Sequence, residues 1–346
     1  MSLSRFSLGW FLIVLLASSL STDLAQAGSC PNWGRAFQRN RGEGLPPKGK
    51  TMMVFSFANQ SQKKSEEWLS EAFRMVLSDY FSFSKNTTVL APELGKRYQA
   101  TETPEALEIG KKEKAENIVY GFFEHQGSNL TIYVRFVDGM KGEELGREHW
   151  TIEFPETQKI FDLFVEIADR ASKVFKKVKT ERKMMLAYKH ETRSAGAFQS
   201  YILGRLHLEA GSPSDIEAAL DLFKDAISRD YNYAMAYLGH AEALLMKAAI
   251  KKVAGESDRL LVEEATRDLK KASLLHPHLV AKKGQIVKNY LEADVHQTAG
   301  ATLKREGKKG NKDEFKKALE LLPGDIFSLS QLPSSQLLHE LDPCAQ

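Results

Sequence analysis

The chain has 346 residues, of which 42% are hydrophobic and 27% are charged, a composition typical of a folded globular protein rather than a disordered or membrane-embedded one. This length is enough for about two domains. The formal net charge is only +3. Nucleic-acid binding calls for a clustered basic face, so we expect no nucleic-acid partner. The two cysteines, Cys30 and Cys344, are too few for a disulfide framework or a four-thiolate zinc site.

The first 27 residues have the parts of a secretory signal peptide in the usual order. Arg5 precedes an apolar run from Leu8 to Leu16, and Ala25-Gln26-Ala27 supplies a small-x-small cleavage site. The apolar run is shorter than the roughly 20 residues that cross a bilayer. We therefore expect cleavage after Ala27 and an exported protein. The alternative is a lipoprotein anchored at Cys30, although the usual leucine of a lipoprotein cleavage box is missing.

Residues 44–51 match the phosphate-loop pattern G-x-x-x-x-G-K-T. Such a loop follows a strand and opens a helix, because the helix N-terminus and the loop amides bind phosphate together. Here a polar segment precedes the motif, a strand-like run follows at residues 52–55, and two prolines remove amide donors. We interpret residues 28–49 as a linker. The alternative function is a nucleotide-binding enzyme that uses Lys50 and Thr51.

Strand-like and helix-like patterns alternate over residues 50–178. Thr103-Pro104 has the character of a helix start, since proline is favoured in the first turn. The order βαβαβββα predicts an α/β domain with a mixed sheet and helices on at least one face. The strand patterns occupy residues 51–58, 87–90, 117–124, 130–137 and 148–154.

Two stretches of this domain resemble the TolB amino-terminal-like family, which has relatives among flagellar outer-membrane and curli-secretion accessory proteins. They are MVFSFANQSQKKSEEWLSEAFRMVL and AENIVYGFFEHQGSNLTIYVRFVDGMKGEELGREHW. The shared features are a strand with a phenylalanine and an asparagine near its end, a helix that starts with tryptophan and leucine, and D-x-x-x-G between the last two strands. The resemblance implies a noncatalytic domain of the bacterial envelope and transfers no catalytic residue. We accordingly expect a periplasmic protein without a cofactor or a metal site.

Helix pairs recur over residues 193–323 with a small–large–small spacing. In the first pair, Ala219, Phe223 and Ala226 stack on successive turns. The region resembles an array of about three tetratricopeptide repeats, the second marked by Ala265, Leu269 and Ala272 and the third by Gly284, Val287, Phe315 and Ala318. The expected fold class is therefore α+β, with the α/β domain followed by an all-α repeat domain. Residues 179–192 are assigned to a helical connector and residues 324–346 to a C-terminal cap.

The repeat register places one set of side chains along a concave groove. Peptide-binding grooves combine apolar anchors with a few charges, so we expect a protein or peptide partner in the cell envelope. The alternative for each residue is packing between repeats. We expect Arg205 and Glu242 to be exposed, so that their replacement leaves the melting temperature nearly unchanged. The groove residues are Tyr201, Arg205, Leu208, Leu238, Glu242, Gln285 and Lys288.

The remaining polar features indicate no catalytic chemistry. His276 and His278 flank a proline without a third ligand at metal spacing, so a surface turn is favoured over a metal site. The lysine-rich stretch from Lys304 to Lys317 is interrupted by acidic residues, a pattern typical of a solvent-exposed segment. The alternative interpretation is that this stretch makes peripheral contact with an anionic outer-membrane surface. The expected function is thus a noncatalytic scaffold that docks through the TolB-like domain and binds a partner in the groove.

Overall fold

The computed structural model describes residues 49–332 apart from 62, 85, 91–99, 176–177 and 179–190, together with residues 33, 36 and 37. The interpretations of residues 1–27, Cys30 and Cys344 lie outside these residues. The strands are β1 Lys50–Val54, β2 Ala58–Asn59, β3 Thr87–Val89, β4 Asn117–Gln126, β5 Asn129–Asp138 and β6 Glu143–Glu153. The helices are α1 Trp68–Ser82, α2 Thr103–Glu113, α3 Thr157–Val174, α4 Ala195–Ala210, α5 Pro213–Arg229, α6 Ala234–Val253, α7 Arg259–Leu275, α8 Pro277–Lys283, α9 Gln285–Arg305, α10 Asn311–Leu321 and α11 Ile326–Ser330, with a 3-10 turn at Lys64–Glu66.

The strands form one mixed sheet in the order β3-β1-β4-β5-β6, and the two-residue strand β2 pairs with β4. Strand β1 is parallel to β3 and β4, whereas β4, β5 and β6 form an antiparallel meander. The prediction of an α+β protein with a mixed sheet is confirmed. The predicted order βαβαβββα also holds in the sheet region, except that the short strand β2 was not predicted. The helices beyond residue 194 form a separate helical region.

Alternation along the strands decides which side chains enter the core. In β5, Leu130, Ile132, Val134 and Phe136 are all buried on the side of the sheet that α1 and α3 cover. Aromatic rings fill this layer: Phe73 of α1 stacks on Phe57 at 4.8 Å and meets Phe164 of α3 edge-on at 5.2 Å between ring centroids. On the opposite side, α2 covers a smaller cluster that includes Met53, Phe55, Ile118, Tyr120 and Val137.

The first helix pair of the helical region has clear sequence signals at its turn. Gly211 ends α4 in the left-handed conformation at φ 69°, and the Ser212 hydroxyl accepts a hydrogen bond from the Asp215 amide at the start of α5. Phe223 of α5 then packs between α4 and α6. A Cβ atom at Gly204 would lie 2.8 Å from the Phe223 ring, and one at Gly239 would lie closer still. Both positions therefore require glycine.

The third helix pair, α9 and α10, differs from its predicted register. Phe315 faces Gly300, where an added Cβ atom would come within 3.0 Å of the ring. Gly284 was expected to lead this pair, but it lies between α8 and α9 beside the carbonyl of Val280. The physical reason is the extra helix α8, which begins at Pro277 and shifts the following helix along the chain.

A continuous apolar core joins the sheet region to the helical region. Phe198 of α4 lies 4.8 Å from Phe161 of α3 and 5.7 Å from Trp68 of α1, measured between ring centroids. Trp33 and Phe37 also belong to this core and stack on each other at 5.7 Å. The linker interpretation of residues 28–49 does not account for this packing.

The last described helix, α11, covers the end of the helical region. Ile326 and Leu329 are buried, and the Asp325 carboxylate accepts a hydrogen bond from the Ser328 amide at the helix start. Phe327 contacts Phe315 of α10 edge-on at 6.1 Å between ring centroids. The assignment of residues 324–346 to a C-terminal cap stays a prediction, since residues 333–346 lie outside the described part.

Candidate functional site

The inner sides of α4, α6 and α9 meet the C-terminal end of α1 around a cavity of about 390 Å³, which we call the junction groove. Tyr201 and Arg205 lie one turn apart on α4, and Leu238 and Glu242 lie one turn apart on α6. Gln285 begins α9. The full lining is Asp79, Ser82, Phe83, Tyr201, Arg205, Met235, Leu238, Gly239, Glu242, Lys282, Lys283, Gln285, Ile286, Val287 and Asn289.

The base of the junction groove is apolar. Met235 and Leu238 of α6 and Val287 of α9 are each at most 5% exposed, and Tyr201 of α4 is 4% exposed. Ile286 is half-buried beside them. A partner side chain that enters the groove would therefore meet an apolar base below polar walls, the usual composition of a ligand pocket.

A buried ion pair links α4 to α6 across the groove. Arg205 Nη1 donates to Glu242 Oε2 at 2.6 Å, and the Glu242 side chain is only 4% exposed against 25% for Arg205. Burial alone would lower the pKa of Arg205, but the attraction of Glu242, with smaller contributions from Tyr201 and Glu209, raises it above its ordinary value. The guanidinium stays charged, and the expectation that this pair is exposed is wrong, because Glu242 faces the interior between the helices.

The sheet region supplies one wall of the groove. Asp79 of α1 forms an ion pair with Lys283 of α8, and the Lys283 ammonium also lies 5.4 Å from the centroid of the Phe83 ring. These contacts hold the end of α1 against the helical region. Sequence reasoning missed Asp79, Phe83 and Lys283, because nothing local in the chain shows that α1 and α8 meet.

Five of the seven predicted groove residues line the cavity, and two do not. Leu208 is fully buried, since an apolar side chain in the last turn of α4 is covered by the core. Lys288 is exposed on α9 but does not border the cavity. The side chains that the structure brings together are Tyr201, Arg205, Leu238, Glu242 and Gln285.

A second buried ionic cluster fixes α1 to α4 close to the groove. Arg74 has a fully buried side chain; its Nε donates to Glu71 at 2.6 Å and its Nη2 to Glu209 of α4 at 2.7 Å. Burial opposes the charged form, but the two carboxylates together raise the pKa of Arg74. Removal of one partner would leave an unpaired buried charge, which is costly. The cluster therefore favours the one arrangement of α1 and α4 in which all three charged groups are paired.

Glu191, near the end of the predicted connector, is buried beside the start of α6. Its Oε2 accepts a hydrogen bond from the Met235 amide at 3.1 Å. His276 Nε2 lies 3.6 Å from the other carboxylate oxygen, beyond hydrogen-bond distance. Burial dominates and raises the pKa of Glu191 to about 8, although the Met235 hydrogen bond acts in the opposite direction. The carboxyl group is therefore largely protonated at neutral pH.

Lys50 and Thr51 lie in a strand rather than at a helix N-terminus. Lys50 begins β1 and forms an ion pair with Glu116. The Thr51 hydroxyl donates to the Lys114 carbonyl at 3.0 Å and accepts from the Glu116 amide at 2.8 Å. The helix geometry that a phosphate loop needs is thus not formed at these two residues. Lys50 does border a second cavity of about 430 Å³, together with Lys141.

Two properties of the described residues bear on metal ions and membranes. Within them, no group of three or more histidine, cysteine, aspartate or glutamate side chains is placed to hold a metal ion. In the same part of the chain, no helix combines the length and the apolar character needed to span a bilayer.

Comparisons with known proteins find similarity in solved structures alone: no family model and no curated protein matches the chain. TolB from Acinetobacter baumannii is 10% identical with a TM-score of 0.28, over 38% of this chain and 29% of that one. The LpoB C-terminal domain from Escherichia coli is 16% identical with a TM-score of 0.24, over 35% of this chain and 98% of that domain. Lipoprotein GNA1162 from Neisseria meningitidis is 14% identical with a TM-score of 0.25, over 35% of this chain and 96% of that one. The similarity is low and partial, and the chain spans less than a third of TolB.

Proposed function

We propose that the protein is an exported, noncatalytic interaction protein of the bacterial cell envelope that binds a segment of a protein partner in the junction groove. The observation that carries the proposal is the groove itself, which combines an apolar base with charged walls at the seam between two regions. Peptide recognition uses this combination, because apolar anchors supply affinity and charged groups fix orientation.

The charges of the groove indicate which partner segment fits. Arg205 is paired with Glu242 and Lys283 with Asp79, so these four charges balance one another. Lys282 is exposed on the rim of the groove. A segment with an apolar side chain for the base and a carboxylate near Lys282 would complement this surface.

The finer assignments of the two regions belong to the same proposal. The helical region is interpreted as a tetratricopeptide-like array, supported by the large-against-small contacts of Phe223 with Gly204 and of Phe315 with Gly300. The sheet region is interpreted as a TolB-like docking domain. Its support is the strand and helix order, together with the sequence features from which the resemblance was drawn.

Site-specific photo-crosslinking in the native envelope tests the proposal. A photoreactive residue in place of Gln285, which borders the groove, should form an adduct with one protein partner. The same residue in place of Lys288, three positions further along α9 and off the cavity, is the matched control and should not form that adduct. Equal labelling of the partner at both positions, or none at Gln285, would contradict groove binding.

The rival function is nucleotide binding through Lys50, favoured by its position on the second cavity. Calorimetric titration with ATP separates the two functions. We expect no binding, since Lys50 and Thr51 already have protein partners. Binding of ATP that disappears in Lys50→Ala would instead favour the nucleotide-binding enzyme.

A further inference from the structure

Strand β6 is the outer strand of the sheet next to β5, and no other strand of the described residues pairs with its far side. The Phe154 amide donates to the Ser128 carbonyl, which continues the β5–β6 ladder. Because alternate residues of an antiparallel strand direct their backbone groups to opposite sides, Arg147, His149 and Thr151 direct their N–H and C=O groups away from β5. Glu153 does the same.

This outer edge has few of the features that protect edge strands from pairing. Natural edges carry lysine, proline or bulges that prevent another strand from adding. The stretch from Arg147 to Glu153 contains no lysine and no proline. The one irregularity in the β5–β6 pairing lies at Phe136/Val137, outside that stretch. The edge is therefore regular over seven residues and able to accept another strand.

The charges along this edge are self-complementary. If a second copy pairs antiparallel about a twofold axis at Trp150, Arg147 lies opposite Glu153 of the other copy, and Glu153 lies opposite its Arg147. Both side chains are accessible, at 71% exposure for Arg147 and 57% for Glu153, and each would exchange a surface ion pair, with Glu144 or Lys159, for the one across the interface. With the axis at Arg147, the two copies of Arg147 would lie opposite each other. With the axis at Glu148, Glu143 of one copy would lie opposite Glu153 of the other. Axes at His149 or Thr151 create no opposite-charge pair.

The side chains between these charges also fit that register. Trp150, which is half-buried, would lie opposite Trp150 of the second copy in a non-hydrogen-bonded pair, where cross-strand aromatic side chains approach closely. His149 would lie opposite Thr151. His149 already stacks on Tyr133 at 5.9 Å, and Tyr133 on Phe122 at 4.6 Å, so the existing ladder of side chains would continue into the second copy.

We propose that the protein forms a homodimer in which two β6 strands pair antiparallel about Trp150 and join the two sheets into one. This interface is separate from the junction groove and does not depend on the proposed function. A second copy is favoured over a foreign peptide because the strand itself supplies the complementary charge at both ends of the paired stretch.

Sedimentation velocity of the purified full-length protein over a wide concentration range tests the dimer. We expect a dimer for the natural chain and a monomer for Thr151→Pro, since proline removes an outward N–H group that β5 does not use. Circular dichroism should show the same secondary structure for both. A natural chain that stays monomeric throughout, or a Thr151→Pro variant that stays dimeric, would overturn the proposal.

Charge exchange tests the register. Arg147→Glu alone should raise the dimer dissociation constant roughly tenfold, because it places two like charges opposite each other at both ends. The double variant Arg147→Glu with Glu153→Arg should restore dimerisation. Glu143→Arg reverses a charge of the same strand outside the paired stretch and should have no effect. A double variant as weak as Arg147→Glu, or an equal loss in Glu143→Arg, would contradict this register.

Discussion

The sheet region and the helical region of this protein are held together in different ways. In the sheet region, β1 pairs with β3 and β4, so contacts join residues far apart in the chain, and a broad layer of aromatic side chains fills the core. In the helical region, helices adjacent in sequence pack together, and a single large side chain such as Phe223 lies against glycines on two neighbouring helices. Stability in the helical region is therefore concentrated at a few positions. The seam between the regions combines a continuous apolar core with the buried ion pair of Arg74 and Glu209.

The largest expected effect is at Phe223. Phe223→Ala should lower the free energy of unfolding by about 4 kcal/mol, because it empties an aromatic site that α4, α5 and α6 share. Urea denaturation measures the change. Leu260→Ala, at a side chain that is 77% exposed in the same region, is the control and should stay within about 0.5 kcal/mol. Similar values for the two variants would mean that stability is not concentrated at Phe223.

A somewhat smaller effect is expected at the seam. Arg74→Met should lower the free energy of unfolding by about 3 kcal/mol, because it leaves the buried carboxylate of Glu209 without its partner. Adding Glu209→Leu should recover part of this loss, since an apolar pair can replace a buried ion pair at little cost. If the double variant is less stable than Arg74→Met, Glu209 stabilises the protein through other contacts and the ionic link is not what joins the regions.

The pH dependence of stability gives a third and smaller effect, at Glu191. Folding raises the pKa of this carboxyl group from 4.5 to about 8. Between these two pH values the folded state therefore keeps a proton that the unfolded state has released. The stability that the protonated group contributes is complete below pH 4.5 and is lost as the pH rises toward 8. Relative to Glu191→Gln, the natural chain should therefore lose roughly 2 kcal/mol between about pH 5.5 and 7, at about 1.4 kcal/mol per pH unit.

Chemical denaturation of both proteins at a series of pH values measures that difference, and the comparison cancels the groups that titrate identically in the two. A difference that is constant with pH would show that Glu191 ionises in the folded state as it does in the unfolded chain. A difference that changes in the opposite direction would mean that the carboxylate is stabilised at the start of α6, by the Met235 amide or by His276.

The sequence predicts those parts of the fold that depend on neighbouring residues. Alternation along β5 and the spacing of Ala219, Phe223 and Ala226 identified buried side chains correctly, because strand and helix periods are local properties. The junction groove was only partly predictable. Arg205 and Glu242 were placed on it, but their burial as a pair depends on how α4 meets α6.

Other features depend on contacts between distant segments, and sequence patterns did not show them. Asp79 and Phe83 form a groove wall only because the C-terminal end of α1 meets Lys283 of α8. Gly300 takes the position expected of Gly284, since α8 intervenes in the repeat. Trp33 joins the core although the polar composition of its surroundings favoured a linker.

Binding at the junction groove is the central claim, and the affinity of the crosslinked partner for two lysine variants tests it most directly. Lys282→Glu reverses a charge on the groove rim, whereas Lys288→Glu makes the same change nearby on a side chain that does not border the cavity. Isothermal titration with the partner segment should show affinity reduced roughly tenfold for Lys282→Glu and unchanged for Lys288→Glu. Equal affinities for the two variants and the natural chain would contradict binding in the groove.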